Sequence, residues 1–141
     1  MGSILKYQKN ATILVCVWNR EHKSIEEDYV CSFNQEIGYG KKTRKFFNLI
    51  NFIKYSKKVV KDFEPNYIHC IDFEMLFTGV VIGRGKEKIY EVYDIKFISN
   101  NLLNSLREFI EFNLINSSTS NLLLASPYFK KYYNKVCTGY G

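Results

Sequence analysis

Apolar residues along this chain fall into two kinds of segment, short continuous runs and longer stretches with helical spacing. Short runs rich in β-branched and aromatic residues predict five strands, at residues 11–18, 28–33, 67–71, 88–95 and 121–125. Longer segments predict helices at residues 42–63, from about 73 to the glycine at 83, at 100–118 and from 127 onward. Predicted strands therefore alternate with predicted helices along most of the chain.

Residues that commonly begin or end helices stand at several of these predicted boundaries. Pro65 follows the long helix, Gly83 stands at a C-cap position, and Ser126 precedes Pro127 as an N-cap. Strands that alternate with helices form parallel sheets with right-handed crossovers. The sequence predicts an α/β fold: a Rossmann-like open parallel sheet with helices on both faces, in a single domain spanning residues 1–141.

Length and composition agree with one domain, since 141 residues that are 46% hydrophobic suffice for one core. The chain has no stretch of about 18 uncharged apolar residues and no secretory signal, so we expect a cytoplasmic protein. His22 and His69 stand apart, and no two cysteines have metal-ligand spacing, so we expect no metal site. The cysteines are expected to be reduced thiols: Cys16, Cys31, Cys70 and Cys137.

The formal charge of +6 is concentrated in and just before the predicted helix at residues 42–63. This segment carries eight basic residues against the single acid Asp62: Lys41, Lys42, Arg44, Lys45, Lys54, Lys57, Lys58 and Lys61. The pattern leaves two interpretations open. The helix has a core face and a solvated face over which lysines extend, or it lies on an anionic membrane surface.

Two acids follow predicted strands, at the positions where ligands bind in open parallel sheets. Asp72 follows the strand at 67–71, and Asp94 closes the strand that starts at 88. If these strands are neighbours, the two carboxylates share one edge and could bind hydroxyl groups or take a proton. Glu74 could join them or favour the helix N-terminus, and an aspartate between strand and helix is also a common N-cap.

Other candidate residues permit a structural interpretation beside the functional one. His69 lies inside a predicted strand, where a hydrogen-bonded core histidine is the alternative to a ligand-binding role. Trp18 ends the first predicted strand and could stack on a sugar or base, or pack half-buried. The glycine pairs in IGYGKKT and VIGRGKEK lack the spacing of phosphate-binding loops, and Ser126 lacks a GxSxG context, so we expect no cofactor.

Several runs, in order and at similar spacing, resemble family-four glycosyltransferases of the GT-B type. PNYIHCIDFEMLFTGVVIG is similar to a family segment that reads approximately "PDvIHahDfdtLlpall", and KIYEVYDI is similar to "vvYdihDl". ATILVCVWNRE resembles the family's second strand, "vtvlvwdRe". LREFIEFNLINSSTSNLLLASPYFKKYY resembles "E..l...aD.vi.vS..f.e.y". Together the similar runs cover roughly residues 11 to 135.

The resemblance implies the acceptor-side half of a transferase that uses a sugar nucleotide. It implies that Asp72, with Asp94 and Glu74, lines the cleft that binds a sugar or lipid-linked acceptor. His69 and Trp18 are the further candidates for acceptor binding, on the residue-level reasoning given above. Ile71 stands where the family has the second histidine of its motif. The family's first strand and its nucleotide-sugar-binding donor domain have no counterpart in this sequence. We therefore expect no catalysis without a donor domain or donor chain.

Two other classes of function remain open from the residues. A non-catalytic binding module would use the basic helix to contact nucleic acid or an acidic partner, although nucleic acid is not the partner that the resemblance implies. A stand-alone acid-pocket regulatory domain of flavodoxin-like order would need an acidic pair after the first strand. That strand ends instead in Trp18, Asn19 and Arg20, which argues against the regulatory domain.

Overall fold

The fold is taken from a computed structural model, which describes residues 12–19, 25, 27–35, 42–94 and 102–133. The chain divides into two compact units, Met1–Phe63 and Glu64–Gly141. Each unit has its own parallel sheet, and the described residues include one helix in the first unit and three in the second.

The amino-terminal unit contains two parallel strands and one long helix. Strands β1 (Val15–Asn19) and β2 (Val30–Asn34) pair in register from Val15 opposite Val30 to Asn19 opposite Asn34. Helix α1 spans Lys42–Phe63, the predicted bounds. It begins and ends where the sequence indicates, because the helical spacing of its apolar residues starts there and Pro65 follows.

The carboxyl-terminal unit alternates strands and helices. Its elements are β3 (Tyr67–Ile71), α2 (Asp72–Ile82), β4 (Glu87–Val92), α3 (Leu102–Ser118), β5 (Asn121–Leu124) and α4 (Pro127–Tyr133). The strands form one sheet in the order β3-β4-β5, and both neighbouring pairs are parallel. Helix α4 begins as predicted, since the Ser126 hydroxyl accepts a hydrogen bond from the Tyr128 N–H at 3.4 Å.

The core of this unit lies between one face of the sheet and its helices. Buried side chains from strands, α3 and α4 form one cluster with Leu76 of α2: Cys70, Tyr90, Val92, Phe112, Ile115 and Tyr133. Helix α2 approaches β3 very closely, because a Cβ atom added at Gly79 would collide with the Cys70 sulfur. Gly83 caps the helix as predicted, and its N–H donates to the Gly79 carbonyl at 2.9 Å.

The opposite face of the sheet β3-β4-β5 is more exposed than the core face. Alternate residues on a strand point to opposite faces. Cys70 is therefore buried, whereas Tyr67 and Ile71 on the other side of the same strand are exposed. Right-handed crossovers between neighbouring strands in this order put the connecting helices α2 and α3 on the same face.

The prediction of an α/β fold with parallel strands is confirmed, and so is the pairing of the strands that carry Asp72 and Asp94. The structure divides the five predicted strands between two sheets of two and three strands. Helices were expected on both faces of one sheet, whereas the helices that contribute to the core cluster here pack on one face. The predicted boundaries at 95–100 lie outside the described residues.

Candidate functional site

Asp72 connects the carboxyl end of β3 to the first turn of α2 in an unusual backbone conformation. Its φ is 63°, in the left-handed region that aspartate tolerates better than most residues with a side chain. Its Oδ1 atom accepts a hydrogen bond from the Tyr93 N–H, 3.3 Å away. This contact joins the ends of the neighbouring strands β3 and β4, so the carboxylate is directed along the edge of the sheet.

The N-cap interpretation of Asp72 is wrong. Ile71, which precedes α2, makes no side-chain capping hydrogen bond, and Asp72 stands at the start of α2 with its left-handed φ. Its observed side-chain hydrogen bond goes to the next strand instead of to its own helix. Within the described residues, Oδ2 of Asp72 accepts no hydrogen bond, which leaves one carboxylate oxygen able to accept a bond from a ligand.

Asp94 lies at the same edge of the sheet, because it directly follows Tyr93, whose N–H contacts Asp72. Its side chain is exposed. Glu74 stands in the first turn of α2 and is half-buried, and its carbonyl accepts a hydrogen bond from the Thr78 hydroxyl at 2.8 Å. The three acids therefore follow the carboxyl ends of β3 and β4 in the chain, at the edge where parallel sheets usually bind ligands.

His69 is not a core histidine, and that interpretation is corrected by its position. Its Nε2 lies 2.9 Å from Oε2 of Glu91, and the two side chains are 31% and 23% exposed. His69 alternates with the buried Cys70, and Glu91 lies between the buried Tyr90 and Val92, so both occupy the face opposite the core. The sequence did not single out Glu91, since its pairing with His69 depends on the register between β3 and β4.

Trp18 belongs to the amino-terminal unit and packs inside it. Its ring stacks on Phe52 with centroids 5.5 Å apart and contacts Phe33 edge-on at 6.1 Å. The indole N–H donates to the Gln35 carbonyl at 3.1 Å. These contacts support the packing interpretation; a role of Trp18 in acceptor binding stays a prediction.

A polar network lies in the core below the strand ends. Glu111 of α3 accepts hydrogen bonds from the hydroxyls of Tyr90, at 2.7 Å, and Tyr133, at 2.9 Å. Burial raises the pKa of Tyr90, and the Glu111 carboxylate raises it further. Tyr90 therefore stays neutral and acts as a donor that ties β4 to α3.

The described cysteines agree with the expectation of reduced thiols. Cys16, Cys31 and Cys70 are free, and Cys137 lies outside the described residues. Burial raises the pKa of Cys70 to about 12, so its sulfur stays a thiol at neutral pH and is a poor nucleophile.

No group of three or more histidine, cysteine, aspartate or glutamate side chains within the described ranges could hold a metal ion. Among the helices described, none is both long enough and apolar enough to cross a membrane.

Comparisons with protein-family models, with curated proteins and with solved structures found no match for this chain. The assignment of a function therefore depends on the site and on the resemblance of the motifs.

Proposed function

We propose that this chain is the acceptor-binding half of a glycosyltransferase that uses a sugar nucleotide. The observation that carries the proposal is the left-handed Asp72, whose carboxylate is held by the Tyr93 N–H at the carboxyl edge of two parallel strands. Strained backbone at a residue with a side chain concentrates at functional sites. The edge is also where open α/β sheets bind ligands.

The chemistry of the edge suits a sugar hydroxyl. An ionised carboxylate has two oxygens with about four lone-pair positions, and only Oδ1 of Asp72 accepts a bond within the described part of the chain. In the proposal, Oδ2 of Asp72 and the exposed carboxylate of Asp94 accept hydrogen bonds from hydroxyls of a sugar or lipid-linked acceptor. One of the two carboxylates takes the proton of the attacking hydroxyl.

In the same proposal, His69 and Glu74 also bind the acceptor, from positions before and after Asp72 in the chain. Because Nε2 of His69 donates its hydrogen to the Glu91 carboxylate, Nδ1 is left to accept a hydrogen bond from an acceptor hydroxyl. Glu74 offers a further carboxylate one turn into α2.

The proposal assigns the nucleotide sugar to a separate donor domain or donor chain. Three acids follow the carboxyl ends of β3 and β4, and their negative charges repel an anionic diphosphate. Sugar transfer therefore requires the donor-binding partner, and the isolated chain binds acceptor only.

Saturation-transfer difference NMR with a panel of neutral methyl glycosides tests the proposal. At least one glycoside is expected to receive saturation from the wild-type chain and to lose it in the Asp72→Asn, Asp94→Asn double variant. Asp62→Asn, an exposed aspartate on α1, serves as the matched control and should keep the signal. Absence of saturation with every glycoside, or equal saturation in the double variant, would contradict the proposal.

Calorimetry with uridine and guanosine diphosphate sugars tests the assignment of the donor. We expect no tight binding to the isolated chain. Sub-millimolar binding that disappears in Asp72→Ala would show that the edge holds the donor instead of the acceptor.

A further inference from the structure

Helix α1 has one face that packs against β1 and β2. Asn48, Phe52 and Ser56 recur four residues apart and are buried. Phe52 stacks on Trp18, and the Ser56 hydroxyl lies 3.5 Å from the Cys16 sulfur. This face of α1 therefore packs against the strands, whereas the outer face of the helix is exposed.

The outer face is basic along most of its length. Arg44, Lys54, Lys57, Lys58 and Lys61 are exposed, and Asp62 is the only acid of the helix. With 3.6 residues per turn, Lys54, Lys58 and Lys61 fall within about 60° of one another around the helix axis. None of these lysines forms an ion pair with another residue in the described ranges, so their charges face solvent.

Two phenylalanines lie on the same helix, about two turns before Lys54. Phe46 is 61% exposed and Phe47 is 64% exposed. Their rings contact each other edge to face, with centroids 6.1 Å apart. Phe47 lies on the same side as Lys54 and Lys58, because seven and eleven residues are close to two and three full turns. Two adjacent exposed phenylalanines form an apolar patch that the core does not use.

We propose that the outer face of α1 binds the surface of an anionic lipid bilayer, with Phe46 and Phe47 inserted among the lipid headgroups. In this arrangement the helix lies in the plane of the interface, as amphipathic helices with a basic polar face do. The lysines from 54 to 61 contact anionic headgroups over about 10 Å of helix. The proposal depends on α1 alone, so it is independent of the acceptor site.

A lipid surface fits this face better than nucleic acid or an acidic protein. Nucleic-acid binders stack successive bases on flat aromatic platforms, whereas the Phe46 and Phe47 planes cross at 72°. A purely electrostatic contact with an acidic protein would leave both rings in water. A bilayer accepts both features, because it offers an anionic surface with apolar material directly below it.

Co-sedimentation of the whole chain with vesicles tests the proposal. Phosphatidylcholine vesicles with about one third phosphatidylserine should bind the protein, and pure phosphatidylcholine vesicles should bind it much less. Binding should weaken between about 0.05 M and about 0.5 M salt, because the Debye length shortens. Phe46→Ser with Phe47→Ser should reduce the partition coefficient at least about tenfold.

Charge reversal of the exposed lysines is the second test of the proposal. Lys54→Glu, Lys58→Glu and Lys61→Glu together should reduce partition more than about a hundredfold, since each lysine near an anionic surface contributes about fivefold. The control is Lys130→Glu with Lys131→Glu on α4, where both side chains are also exposed. The vesicle binding of this control should fall by no more than the change in net charge alone predicts.

Three results would overturn the proposal. Equal binding to both vesicle types would exclude anionic lipid as the partner. Loss of binding on charge reversal, with no effect of the two phenylalanine substitutions, would make the contact purely electrostatic. Tighter binding to a single-stranded oligonucleotide than to anionic vesicles would identify nucleic acid as the partner. Circular dichroism of each variant checks that α1 is retained, and both phenylalanines are exposed, so folding should persist.

Discussion

Nε2 of His69 and Oε2 of Glu91 lie 2.9 Å apart on neighbouring parallel strands, on the face of the sheet that the core leaves open. The pair explains how a histidine inside an apolar strand is accommodated without burial. It also limits what the histidine contributes to stability, because polar contacts between partly exposed side chains stabilise proteins only weakly.

His69→Ala should therefore change the free energy of unfolding by less than about 1 kcal/mol. Leu76→Ala serves as the contrast, since Leu76 is 0% exposed and its loss should cost about 2–5 kcal/mol. Urea denaturation of both variants measures the difference. A cost for His69→Ala near that of Leu76→Ala would mean that the histidine is a core residue after all.

Two substitutions at Asp72 separate the effect of its charge on stability from the effect of its backbone conformation. Asn tolerates positive φ and its side-chain oxygen can still accept from the Tyr93 N–H, so Asp72→Asn should cost less than about 0.5 kcal/mol. Asp72→Val should cost at least about 2 kcal/mol, because a β-branched residue is strained at φ 63° and accepts no hydrogen bond. Chemical denaturation tests both changes.

Asp94→Val is the matched control for the Asp72 substitutions. Asp94 is exposed and has no positive φ, so its replacement should cost less than about 0.5 kcal/mol. Equal costs for valine at 72 and at 94 would refute the account of Asp72 as a conformationally special position.

The stability of the protein should fall in alkali because of Cys70. Burial raises the pKa of this thiol from 9.0 to about 12, so the folded state retains a proton that the unfolded state releases. The contribution is fully present below about pH 9 and is lost as pH rises toward about 12. The total loss from this group is on the order of 4 kcal/mol.

Denaturation at several values between about pH 8 and about pH 11 measures this slope. Cys70→Ala should be less stable at neutral pH but should show a shallower decline, because one group with a raised pKa has been removed. Tyr90, whose pKa burial also raises, continues to contribute in the same direction. An unchanged slope in Cys70→Ala would exclude the thiol as a source of the decline.

The sequence was sufficient for features that depend on local pattern. Period and length predicted α1 at residues 42–63, and the position of Asp72 and Asp94 after two apolar runs placed both at one edge of the sheet. It was not sufficient for Glu91, because the partner of His69 follows from strand register, nor for the φ of Asp72. The neighbours of Trp18, at positions 33 and 52, are likewise distant in sequence.

Because Gly79 has no side chain, α2 can lie close to Cys70 of β3. This close approach of helix and strand also helps to set the position of the candidate site. Gly79 and Asp72 belong to the same helix, about 10 Å apart along its axis. A side chain at position 79 would have to displace the Cys70 sulfur or move α2 away from β3, and a rigid helix that moves carries its first residue with it. The carboxylate at the sheet edge would then move relative to the Tyr93 N–H. Substitutions at Gly79 could therefore impair ligand binding as though they lay in the site, although nothing bound at the edge would touch them.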